Sequence, residues 1–255
     1  MPYELLATSQ TPALIIYLLD VSRSMSKSMG LGEMRKKRVE IVTDALYAAL
    51  QEMVFRSTKG GRVSPRYRVA MYAYSDDVYD ILGGIKSIDQ VAAMGVPELQ
   101  SLRTTNTAKG FAQVEKLLIN ELPNISHCPA PLVCHMTDGE FTGEDPEPIV
   151  RRILNMKNLD GNVLVENIFI ADQILSERIE SPEQWTGITE STNLENSYAE
   201  KLRSISSAFP QSYRVMMLER GYRVAENAIM MLPGESPELV EMGFAMSMST
   251  PTSAA

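Results

Sequence analysis

Hydrophobic residues fall into short unbroken runs and longer periodic stretches, in alternation along the chain. Residues 13–19 form a continuous apolar run, stopped by Asp20 and followed by serines. Such a run suits a strand buried on both faces, as in a parallel sheet. Val42, Ala45, Leu46, Ala49, Leu50, Met53 and Val54 then recur at three- and four-residue spacing, with Glu40, Asp44, Gln51 and Glu52 largely opposite. That pattern predicts an amphipathic helix, ended by Gly60-Gly61. A second strand is expected over 66–74, turning at Ser75-Asp76-Asp77 into a return strand over 78–82. Ala108, Phe111, Ala112, Leu118, Ile119 and Leu122 mark another helix, stopped by Pro123.

Residues 132–137 read as a strand ending at Asp138-Gly139. Asp145-Pro146 then reads as an N-cap with proline at the first helical position. The helix it opens carries Ile149, Val150, Ile153 and Leu154, and a strand follows over 163–170. Residues 174–196 are polar and irregular and are expected as an inserted loop. A helix over 198–208, a last strand over 213–218 and a short helix from Ser236 through Met242 complete the pattern, with 249–255 expected to be flexible. This alternation predicts a Rossmann-like α/β fold: an open, mostly parallel six-stranded sheet with one antiparallel edge strand and helices on both faces. The expected domain covers 1–220, with 221–255 as a C-terminal extension.

Composition narrows the class. The 255 residues are 44% hydrophobic and 22% charged, and 24 Lys and Arg against 32 Asp and Glu leave a net charge of −8. The sequence pI is near 5.0, which argues against a nucleic-acid binder. Two cysteines exclude a disulfide scaffold. Two histidines leave little room for a His-rich metal site or a Ser-His-Asp triad. The first residues lack the basic and long apolar regions of a signal peptide. The run at 13–19 is far short of the ~20 residues that span a bilayer. The expectation is a soluble, cytoplasmic protein with no membrane partner.

In open α/β sheets, ligands bind beyond the carboxyl ends of the strands. Asp20-Val21-Ser22-Arg23-Ser24 follows the first strand, Thr104-Thr105-Asn106-Thr107 leads into a helix, and Thr137-Asp138-Gly139 closes a later strand. Two carboxylates and several hydroxyls thus come to one edge from three loops. Hard oxygen ligands without His or Cys suit Mg²⁺, with Mn²⁺ or Ca²⁺ as alternatives. Alternate residues Asp20, Ser22 and Ser24 in a curling loop point inward together. With only two formal negative charges, such a site balances a divalent ion and keeps a position open to a carboxylate from outside.

These three elements, in this order, resemble the metal-ion-dependent adhesion site of the von Willebrand factor A family, over roughly residues 12–220. The resemblance implies that Asp20, Ser22 and Ser24 form the first ligand loop and that Asp138 belongs to the third. It assigns Thr105 to the second, because Asn106 follows it. Arg103-Thr104 stands where many members carry two glycines, which leaves Thr104 as a substitute ligand. The long stretch 25–33 before the first helix departs from the pattern as well, and is expected to form a lip beside the site.

Other features take plainer readings. Glu140 and Glu144 are expected as solvated loop acids, and Arg23, Lys27 and Lys109 as surface cations. Arg35-Lys36-Lys37-Arg38 reads as a solvated face. His127-Cys128 and Cys134-His135 do not match a zinc pattern, since Cys134 and His135 point to opposite faces of one strand. The sixteen methionines read as core filling. The resemblance implies a non-enzymatic interaction module in which the bound ion captures an acidic side chain of a protein partner. In bacteria, such stand-alone domains accompany AAA+ ATPases, kinases, phosphatases or stress-resistance systems. The alternative is a Mg²⁺-dependent hydrolase or phosphotransferase at the same edge. Against it, the sequence has no P-loop, no Gly-x-Ser-x-Gly elbow and no histidine placed as a general base.

Overall fold

The computed structural model describes residues 2–29, 35–95, 99–102, 104–139, 143–177, 179 and 181–252. The apolar run becomes strand β1 (Ala13–Asp20), buried at every position. It lies at the centre of a seven-stranded sheet with β2 (Tyr67–Tyr74), β3 (Val78–Asp80), β4 (Lys86–Ser87), β5 (Leu132–Thr137), β6 (Leu164–Phe169) and β7 (Met231–Pro233). The order is β7-β6-β5-β1-β2-β3. The first five of these are mutually parallel, and β3 runs antiparallel along β2. The two-residue β4 also pairs antiparallel with β2 and takes the sheet beyond the six strands expected.

Among the described residues, seven α-helices accompany the sheet: α1 (Arg38–Ser57), α2 (Ile88–Met94), α3 (Thr107–Glu121), α4 (Glu147–Asn155), α5 (Ser197–Ser204), α6 (Gln211–Glu219) and α7 (Pro237–Ser247). Neighbouring residues of β1 show how they cover both faces. Tyr17 meets α7, its hydroxyl bonded to Ser247 Oγ at 2.9 Å and its ring 5.8 Å from Phe244. Leu18 meets α3 at Gly110, where an added Cβ would sit 3.1 Å from its side chain. Consecutive strand residues face opposite ways, so α3 and α7 lie on opposite sides. α1 and α2 join α7, and α4 joins α3.

Helix α1 begins and ends where local chemistry dictates. Glu40 reaches back to the Lys37 backbone N–H at 3.0 Å, as in a capping box. Beyond Ser57 the chain reverses in a hairpin, Thr58–Lys59 against Arg62–Val63. Gly60 and Gly61 supply the two positive φ angles of that turn, 56° and 77°. Asp145 accepts from the Glu147 N–H at 2.9 Å, and α4 starts just after Pro146.

The expected last strand over 213–218 is a helix, α6. Tyr213 and Met217 are buried while Val215 and Leu218 are exposed, a four-residue rather than a two-residue repeat. The edge strand beyond β6 comes from 231–233 instead. Residues 221–255, expected as an extension, thus supply β7 and α7 to the sheet and its cover. The irregular stretch 174–196 is anchored by buried Ile174, Trp185, Ile188 and Leu194. Among the described residues, no helix is long and apolar enough to cross a membrane.

Candidate metal centre

Parallel strands β1 and β5 are adjacent and end together, so their following loops emerge side by side. Asp20, the last residue of β1, is buried, and both of its carboxyl oxygens are engaged. Oδ1 accepts from the Ser22 N–H at 2.8 Å, and Oδ2 accepts from the Thr137 hydroxyl at 2.8 Å. The Ser22 and Ser24 hydroxyls lie 3.0 Å apart, so the loop curls as its alternating polar residues suggest. A short 3-10 turn, Arg23–Ser26, closes that curl. Burial lifts the Asp20 carboxyl to about 6, against the Ser22 hydrogen bond and with the nearby Asp138 charge adding to the rise.

The third loop is set by Thr137 and Gly139. Thr137 Oγ1 accepts from the Gly139 N–H at 3.0 Å while donating to Asp20, so one hydroxyl joins the two acidic loops. Gly139 has φ +91°, and an added Cβ would run into the Phe169 ring. Asp138 between them is 6% exposed. Its Oδ2 receives Arg38 Nη1 at 3.2 Å, whereas its Oδ1 is buried without a hydrogen-bond partner. The second loop is tied to the first through the Leu102 N–H, which donates to Val21 O at 2.5 Å. Asn106 caps α3 by accepting from the Lys109 N–H at 3.0 Å, and its own N–H donates to Ser75 O. Thr105 is buried and Thr104 exposed.

Thr137 thus links Asp20 to the turn that carries Asp138, Ser22 bonds Asp20 and Ser24 bonds Ser22, and buried Thr105 lies on the loop tied to the first. Arg103, Glu140 and 30–33 of the expected lip lie outside the described residues. Arg38 is a correction: expected on a solvated face, it is 7% exposed and bonded to Asp138. Its place on the buried stripe with Val42, Ala45 and Ala49 is a signal in the sequence that could have revealed it. Thr137 and Asp172, the latter 3.5 Å from Arg38 Nη2, were also missed.

Beneath the loops runs a buried polar chain. Thr107 Oγ1 lies 3.5 Å from the Tyr74 hydroxyl, which is 2.8 Å from His135 Nε2, while His135 Nδ1 is 2.7 Å from Asn167 Oδ1. Phe111 of α3 packs edge-on against the imidazole at 4.7 Å. Burial depresses the His135 pKa to about 4, partly opposed by Asn167. With both ring nitrogens bonded inside the protein, His135 is a structural side chain.

Among the described residues, no three His, Cys, Asp or Glu side chains gather as a ligand set. The donors available are two carboxylates and hydroxyls. Oxygen donors of this kind fit a hard divalent ion, and Asp138 Oδ1 is a buried carboxylate oxygen at this edge with no hydrogen-bond partner in the protein.

No family model matches the chain, and no curated protein matches it. Solved structures do. A von Willebrand factor type A protein from Catenulispora acidiphila superposes with a TM-score of 0.53 at 13% identity, covering 94% of this chain and 42% of that one. Proximal thread matrix protein 1 from the mussel byssus, with a zinc-occupied MIDAS motif, gives 0.53 at 14% identity, covering 93% and 47%. A mutant of the PilB minor pilin from Streptococcus sanguinis gives 0.54 at 11% identity, covering 92% and 60%. The chain thus spans about half the length of these proteins. From sheet order to helical cover, it has the fold of a von Willebrand factor A domain.

Proposed function

We propose that the protein is a metal-dependent interaction module whose ion is held by Asp20, Ser22, Ser24, Thr105 and Asp138 and captures a carboxylate of a protein partner. The observation that carries this reading is the Asp138 Oδ1 atom, buried and unpartnered at the edge where Ser22 and Ser24 turn their hydroxyls together. A bound divalent ion supplies an electrophilic centre with a free coordination position for an acidic side chain. Asp20 is held by Ser22 and Thr137, which fixes its geometry before any ion arrives. The Ser22 and Ser24 hydroxyls add neutral oxygen donors, so the loaded centre keeps an appetite for negative charge. Mg²⁺ suits this donor set best. The zinc-occupied motif of the mussel protein supports a divalent ion in general.

An interaction role is also supported by His135, whose buried, doubly bonded ring is unavailable as the base a hydrolase would need. The setting we propose is a bacterial cytoplasmic regulatory or stress-response complex, with an AAA+ ATPase, kinase or phosphatase component carrying the acidic residue. It rests on the family resemblance and on the acidic, disulfide-free composition.

The test is capture of partners from native lysate with and without chelator, repeated with Asp20→Ala and Ser24→Ala. Both substitutions remove ligands while the sheet remains, so Mg²⁺-dependent capture should be lost and the folded circular dichroism spectrum kept. A partner that binds equally in chelator and to Asp20→Ala refutes the proposal.

A further inference from the structure

Arg38 is a cation built into the wall of the candidate metal centre. Its side chain is 8% exposed, with Nη1 3.2 Å from Asp138 Oδ2 and Nη2 3.5 Å from Asp172 Oδ2. Its main chain is anchored where the side chain enters the site. Its backbone N–H donates to Lys27 O at 2.9 Å, and the pairing of Ser28–Met29 with Lys36–Lys37 closes just ahead of it. Asp138 is thus divided between two tasks. Oδ2 faces the guanidinium, and Oδ1 is left buried and unpartnered. Asp172, the other partner, is 75% exposed.

A guanidinium keeps its charge throughout the physiological range. Next to a carboxylate that is to hold a divalent ion, it repels that ion and cannot relieve the repulsion by losing a proton. It also does part of the ion's work beforehand, because it compensates a buried carboxylate that would otherwise stand beside Asp20 with no counter-charge.

We infer that Arg38 is a resident counter-ion of this centre, pairing with Asp138 while the ion is absent and holding down the affinity for the ion when it binds. The inference rests on the metal-centre reading above and adds to it an internal cation that sets the ion concentration at which the module switches on. Asp172 belongs to the same device. By partly neutralising Arg38 from the solvent side, it makes ion binding less unfavourable.

Calorimetric titration of Mg²⁺ into the chelator-stripped full chain tests this. Arg38→Gln should bind Mg²⁺ at least about ten-fold tighter than the unsubstituted protein, because a full charge beside the ion is removed. Arg38→Lys, which keeps the charge, should stay within about three-fold. Asp172→Asn should bind about two- to five-fold more weakly, the range for an exposed charge pair. Should Arg38→Gln fold only when Mg²⁺ is present, the ion is replacing the missing guanidinium, which supports the inference. Should it fold in neither condition, Asp172→Asn at its exposed position decides. Equal or weaker binding by Arg38→Gln, or unchanged binding by Asp172→Asn, overturns the inference while leaving the metal centre intact. Absence of any Mg²⁺ binding in the unsubstituted protein and in Asp20→Ala alike overturns the metal centre itself, and this inference with it.

Discussion

His135 and Glu166 are both wholly buried in the sheet, on opposite faces, and burial acts on them in opposite directions. The imidazole is held neutral, with a pKa pushed down to about 4. An unfolded histidine titrates near 6.5. Between these values the unfolded chain binds the extra proton, so the stability this residue protects is complete above pH ~6.5 and is lost as the pH falls toward 4. The difference amounts to about 3 kcal/mol. Urea denaturation should show His135→Gln losing less stability than the unsubstituted protein between pH 7 and 4.5. Parallel curves would refute the assignment. Glu166 lies opposite Cys134 in register, and neither of its carboxyl oxygens has a well-formed hydrogen bond. Burial raises its pKa well above the ordinary range, so the native state keeps a proton that the unfolded chain releases, and stability falls as the pH rises above ~4.5. Glu166→Gln should therefore stabilise by about 1–3 kcal/mol at pH 8 and far less at pH 4.5. A substitution that destabilises at pH 8 would contradict this account.

Elements differ in how openly the sequence declares them. Strands β1 and β5 were legible because each is a short, mostly apolar run ending in a polar turn, and β5 occupies the expected 132–137. Helix α6 was not, because Tyr213, Val215 and Met217 alternate as a strand would. Only tertiary packing, with Tyr213 and Met217 inward, selects the helical repeat. Strand β7 was hidden by brevity and by methionine, which marks no element strongly. Its Pro233 is tolerated because the strand is at the sheet edge, where one row of N–H groups needs no partner. The turn after β5 is tightly constrained at Gly139. Gly139→Ala meets both a positive φ and the Phe169 ring. Thermal unfolding should show a loss of about 2–4 kcal/mol, together with weaker Mg²⁺ binding, since Asp138 precedes the turn. A neutral Gly139→Ala would mean that the loop re-forms freely.

At the scale of the whole molecule, the large core rests on the sheet and its helices, not on the loops at its edge. Chelation should therefore leave the protein folded. An ion at ~100 times its dissociation constant adds about 2.7 kcal/mol, so chelator should lower Tm by about 5–10 °C. Complete unfolding in chelator would show a structural ion instead. The oxygen cluster was legible because its first loop is local, Asp20, Ser22 and Ser24 lying within five residues. Arg38 was not, because its contact with Asp138 joins positions 100 residues apart, and only the folded chain brings them together. The arrangement of β1 has a mechanical consequence. It ends at Asp20, is hydrogen-bonded to parallel strands on both sides, and starts from the pole where Ala7 bridges Thr252. On the proposed function, a pull between a partner held at the Asp20 loop and Ala7 runs along this strand, so its lateral hydrogen bonds are loaded together in shear rather than peeled apart singly. Stretching single molecules between those points should give abrupt rupture at high force, and gradual opening at low force would refute it. On the proposed function, a grip with this geometry holds under tension.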